Sequence, residues 1–113
     1  MVFKDGDLHL VLGSPGGSRI ITVVVQIISN VIDHGMNIAE ATHRPRIHHQ
    51  WIEDVLEVEP GVSLDTIHIL EAWGHTIDQG STMGSSQSIQ IQDGYIFGAS
   101  DPRRPNALTK GLD

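Results

Sequence analysis

One hundred and thirteen residues, 39% of them apolar and only five aromatic, suffice for one domain with a core of Ile, Val and Leu. A net charge of −7 argues against nucleic acid, whose phosphates are bound by Lys and Arg; the lack of cysteine excludes disulfides and thiol chemistry. The longest apolar stretch, 20–32, has nine apolar residues in thirteen, too few to cross a membrane, and nothing at the N-terminus reads as a signal peptide.

Asp5-Gly6 predicts a hairpin joining Val2–Lys4 to a strand from Asp7 to Leu12. β-Branched residues dominate 19–34, yet Thr22, Gln26, Ser29, Asn30 and Asp33 recur at helical spacing and Gly35 supplies a stop. A mostly buried helix is expected there. Asn37 with Glu40 three residues later predicts a capped short helix, Ile38 to Thr42, closed off by Pro45. Strands are expected at Ile47–Trp51 and Val55–Glu59, the second with Leu56 and Val58 alternating against Glu57 and Glu59. A helix capped by Ser63 should carry Ile67, Leu70 and Ala72 inward and stop at Gly74, followed by a short strand, His75–Asp78. A loop over 80–85 leads to a second hairpin, Ser88–Gln92 and Tyr95–Gly98, turned by Asp93-Gly94. The result is an α/β (α+β) mixture, mostly antiparallel strands with two main helices, and residues 104–113 read as a loose tail.

Between the strand ending at Leu12 and the helix starting near Arg19 lies Gly13-Ser14-Pro15-Gly16-Gly17-Ser18. Adjacent glycines at such a turn permit backbone angles closed to other residues and leave consecutive N–H groups bare at a helix start. A phosphate loop would need Lys followed by Ser or Thr after its last glycine, where Arg19-Ile20 stand, and glycines 13, 16 and 17 miss the dinucleotide spacing. By spacing alone the turn is structural, or it holds a carboxylate, a phosphate or an oxyanion. The arginine pairs, Arg44 with Arg46 and Arg103 with Arg104, read as local ion pairing. His43, His48, His49 and Glu53 show no zinc spacing, and neighbours His48 and His49 on a strand point to opposite faces, so the histidines read as structural.

Five stretches in order carry a resemblance: Gly-Ser-Pro-Gly-Gly-Ser-Arg-Ile-Ile at 13–21, Gly-Met-Asn-Ile-Ala-Glu-Ala at 35–41, Pro-Arg-Ile-His-His-Gln-Trp at 45–51, Met-Gly-Ser-Ser-Gln-Ser-Ile at 83–89 and Gly-Ala-Ser-Asp-Pro-Arg at 98–103. Together, across segment 1–103, they resemble the γ-glutamyltransferases (γ-glutamyltranspeptidases), members of the N-terminal-nucleophile hydrolases. The resemblance implies part of an αββα sandwich. It also implies transfer of the γ-glutamyl group of glutathione or a related compound, through a threonyl acyl-enzyme, to water or to an amino acid or peptide amine. The N–H groups of Gly16 and Gly17 would then bind the substrate's oxyanion as the catalytic donors. That chemistry requires no cofactor and no metal.

The family nucleophile is the N-terminal threonine of a small subunit, activated by its own amine. Thr22, Thr42, Thr66, Thr76, Thr82 and Thr109 are internal, so the chain is expected to be the C-terminal segment of such a subunit and inactive alone. Its implied partners are the rest of the small subunit and the large subunit of a periplasmic or secreted enzyme. The cephalosporin and glutaryl acylases share much of this subunit and form the alternative enzyme reading; a truncated interaction domain is the alternative outside catalysis. A helix apolar over most of its surface and hairpins with open edges should make the isolated chain a homo-oligomer.

Overall fold

Asp5 and Gly6 take φ values of 53° and 95°, and Asp93 and Gly94 take 52° and 80°. Two successive positive-φ residues match the right-handed twist of the flanking strands, which is why both dipeptides close two-residue hairpins. They join β1 (Val2–Lys4) to β2 (Asp7–Gly13), and β6 (Gln87–Gln92) to β7 (Tyr95–Ser100). The computed structural model describes residues 1–111, divided into two compact units, and the strands just named belong to the first, made of 1–44 and the chain from Gly84 onward. Residues 112 and 113 of the expected tail lie outside the described residues.

The four strands form one antiparallel sheet in the order β1-β2-β6-β7. Register places Leu10 opposite Gln90 and Ser88 opposite Ala99, so these four buried residues share one face. Helix α1 (Arg19–Ile32) packs on β2, and α2 (Ile38–His43) packs on α1, β6 and β7. In α1 the buried residues are Val23, Ile27 and Val31, four apart on one stripe, each contributing about 1.5–3 kcal/mol by burial. The expectation of a mostly buried helix fails. Ile21, Val25 and Ile32 are 77%, 55% and 53% exposed, on the side of α1 away from the buried stripe. The other sheet face carries Ile89 and Ile96, both exposed, and there Thr109 lies against Gly98 and its hydroxyl meets that of Ser100. Helix α2 starts as the sequence indicates: Asn37 accepts the Glu40 N–H at 2.9 Å while Glu40 reaches back to the Asn37 N–H.

The second unit, Pro45–Met83, holds β3 (Ile47–His49), β4 (Leu56–Val58), α3 (Leu64–Ala72) and β5 (Ile77–Gln79). Its sheet runs β3-β4-β5, antiparallel then parallel, with α3 making the crossover the parallel pair requires. β3 stops before the expected Trp51, which takes φ 64° while its N–H donates to His49 Nδ1 and the Ile52 N–H to Gln50 O. In α3 Ile67 is buried but Ala72 is exposed, contrary to expectation; five residues of helix rotate it well away from the Ile67 face. Glu59 is also not the outward residue that alternation indicates. It lies past the end of β4 and is 3% exposed. Among the described residues no helix is long and apolar enough to cross a membrane.

Candidate active site

β2 delivers the chain into the glycine turn and α1 carries it away. Gly16 and Gly17 adopt φ 142° and 58°, so the turn depends on residues without a Cβ. Their carbonyls accept from the N–H groups of Arg19 and Ile20 at 3.1 and 3.2 Å, forming tight turns that lead into α1. Ser18, at the N-cap, makes no side-chain cap. The N–H groups of Gly16 and Gly17 have no hydrogen-bond partner among the described residues, and both glycines are exposed. Two adjacent open donors at the positive end of a 14-residue helix can receive an anionic oxygen.

Behind the turn stands the segment from Gly84 to Ser88. The Ser14 hydroxyl donates to Pro15 O at 2.8 Å and accepts the Ser85 N–H at 3.0 Å. Gly84, at φ 66°, faces the same atoms: a Cβ there would collide with Ser14 Oγ and approach Pro15 O and Val23 Cγ2 to 3.2 Å. Ser86 is tied in turn to Asp101, its N–H donating to Oδ2 at 2.8 Å and its carbonyl accepting the Asp101 N–H at 3.1 Å. The other Asp101 oxygen accepts from the Arg103 N–H and guanidinium at 3.1 and 3.0 Å. Arg103 also donates to Thr42 O and Arg44 O, at 3.1 and 2.7 Å, closing the last turn of α2. Asp101 is fully buried and the Arg103 side chain is 7% exposed, so this is an internal ion pair whose charges need their partners.

Local ion pairing therefore describes Arg103 with Asp101, while Arg44 and Arg104 are exposed. Arg46 is buried, 1% exposed, and its guanidinium donates to Met83 O at 2.7 Å. Glu59 accepts the Arg46 N–H at 2.9 Å and also the Met83 N–H, so both side chains fix the backbone of the residue where the second unit ends. Of the two adjacent histidines, His48 is buried beside Gln50 and His49 is exposed beside Asp54, on opposite faces of β3. His43 meets Ser100 O, and His9 meets Ile91 O. The resemblance already implies that the 83–88 loop and the Asp101-Pro102-Arg103 segment are structural or near the site, whereas Ser14 and Glu59 were missed as holding residues. The glycines in the loops were visible, but their partners lie up to 71 residues away.

A glycine turn with open amides is thus set between a β-strand and a helix laid on an antiparallel sheet, in an α+β fold. The profile of the γ-glutamyltranspeptidase family matches residues 1–110, and the chain belongs to that family. It is 55% identical over 112 residues to the glutathione hydrolase proenzyme of Escherichia coli, covering 98% of this chain and 19% of that protein. A mutant Helicobacter pylori γ-glutamyltranspeptidase superposes with a TM-score of 0.87 at 45% identity, over 91% of this chain and 58% of that one. The acylase ACY 1 proenzyme of a Pseudomonas species is 36% identical over 118 residues, 99% of this chain and 21% of that protein. The chain thus spans about a fifth of the length of the curated relatives it matches, and its α+β fold is that of the γ-glutamyltranspeptidase structures.

Proposed function

We propose that this chain is the C-terminal segment of a γ-glutamyltransferase or glutathione hydrolase and supplies the oxyanion donors of its site. A threonine outside the chain attacks the γ-amide of glutathione or a related compound; the C–N bond breaks, the amine leaves carrying the threonine's proton, and a γ-glutamyl ester of the enzyme forms. Water or an amino acid or peptide amine then takes the acyl group. As the carbonyl becomes tetrahedral, its oxygen gains charge, and the N–H groups of Gly16 and Gly17 receive it. One observation carries this reading: two successive amides are open at the start of α1, in a turn whose positive φ values favour glycine. The 55% identity to a protein named a glutathione hydrolase supports γ-glutamyl compounds over the acyl groups of the acylases. The remainder of the small subunit and a large subunit are the partners, in a periplasmic or secreted enzyme, as the family resemblance supports.

The test is a chimera in which this chain replaces the matching segment of the Escherichia coli relative. The expected result is self-cleavage and release of the chromophore from a γ-glutamyl anilide. A self-cleaved chimera that hydrolyses a glutaryl amide and leaves the γ-glutamyl anilide intact would assign the acylase reading instead.

The exposed stripe of Ile21, Val25 and Ile32 supports self-association of the 113-residue chain on its own. Sedimentation velocity should show a dimer or larger species. A compact monomer with no concentration dependence would refute this.

A further inference from the structure

We infer that the Ser14 hydroxyl is a positioning group that sets the direction of the Gly16 N–H. The inference rests on the functional reading above, in which that N–H receives the oxyanion. Pro15 C=O and Gly16 N–H are the two ends of one planar trans peptide, and no peptide bond in the described chain is cis. Whatever fixes the carbonyl therefore fixes the N–H, which points the opposite way. The plane needs fixing. Gly16 at φ 142° has no Cβ to restrict it, and rotation of this peptide would turn a carbonyl oxygen towards the incoming charge.

Ser14 is arranged to hold that plane. Its oxygen accepts the N–H of buried Ser85, so its proton is directed to Pro15 O at 2.8 Å. The Ser85 amide is steady because the next residue, Ser86, is bonded through both backbone groups to buried Asp101. Gly84 completes the arrangement by having no side chain, since any Cβ there would take the place of the Ser14 hydroxyl. Ser14 itself need not touch substrate. It acts through the peptide that does.

The experiment compares Ser14→Ala and Ser14→Thr in the self-cleaved chimera with a γ-glutamyl anilide. Loss of the hydroxyl should lower kcat about tenfold with KM changed less than about twofold, because only the charge-developing step depends on the direction of the Gly16 N–H. Ser14→Thr, which keeps the hydroxyl, should restore most of kcat, whereas a merely structural role would move the thermal midpoint and KM. An active parent whose Ser14→Ala form keeps kcat within about twofold overturns the inference and leaves the functional reading standing. A self-cleaved parent without γ-glutamyl turnover overturns the reading, and the inference falls with it. If Ser14→Ala does not self-cleave, NMR relaxation dispersion on the 113-residue chain decides: the inference requires new exchange broadening at the Gly16 amide, and a sharp Gly16 amide refutes it.

Discussion

Deleting the Gly17 N–H is expected to lower turnover of the chimera about a hundredfold or more, the usual loss when one oxyanion donor is removed. Gly17→Pro deletes it, but L-proline also demands φ near −65°, against the 58° observed, so the turn would have to rearrange. D-Proline prefers the mirror value, about +65°, and removes the donor while keeping the turn. The informative pair is therefore Gly17→D-Pro and Gly17→D-Ala, introduced by ligation, the second keeping the N–H at a compatible φ. For an L side chain space is no obstacle, since an L-configured Cβ built at Gly17 meets nothing within 4 Å. Gly17→Ala with the L-residue should cost only about 1 kcal/mol or slightly more of stability, the strain of positive φ. A folded, self-cleaved Gly17→D-Pro enzyme with near-parent kcat would show Gly17 to be structural and leave the role to Gly16 or to other donors.

Asp101→Ala is expected to destabilise the chain by about 3–5 kcal/mol, the scale for breaking a buried ion pair by removing one partner. The loss has identifiable parts: the Ser86 N–H and the Arg103 N–H lose their acceptor, and the Arg103 guanidinium stays almost buried without its counter-charge. Guanidinium unfolding of the chain measures it, with exposed Arg104→Ala as the control, expected to fall within about 0.5 kcal/mol of the parent. A loss below about 1 kcal/mol would mean that the pair is worth no more than a surface salt bridge.

The features that were legible in the sequence are those whose cause is local. Asp5-Gly6 and Asp93-Gly94 close hairpins through their own φ preferences, and Asn37 and Glu40 cap α2 across three residues. The glycine turn was legible too, both as a turn and, through family resemblance, as a candidate site. Glu59 was misread because alternation describes a strand only while the strand lasts; one residue past β4 it turns inward to bind the backbone of Arg46 and Met83. Trp51 was misread because β-propensity cannot foresee a local turn at φ 64° bonded to His49. Nothing along the chain singles out Ser14. Its partner amide, at Ser85, is brought to it by the pairing of β2 with β6, which no window along the chain contains.

The contact between Ser14 and Gly84 also ties together the evolutionary freedom of two distant positions. With a hydroxyl at 14, position 84 has no room for even a methyl group. Losing the hydroxyl removes the hardest of the contacts a Cβ at 84 would make, leaving Pro15 O and Val23 Cγ2 at 3.2 Å, and it leaves the Pro15 carbonyl in need of another hold. Lineages should therefore keep glycine at 84 wherever 14 carries a hydroxyl, and any change at 84 should follow a change at 14. The reverse order passes through a protein whose glycine turn has been pushed out of shape.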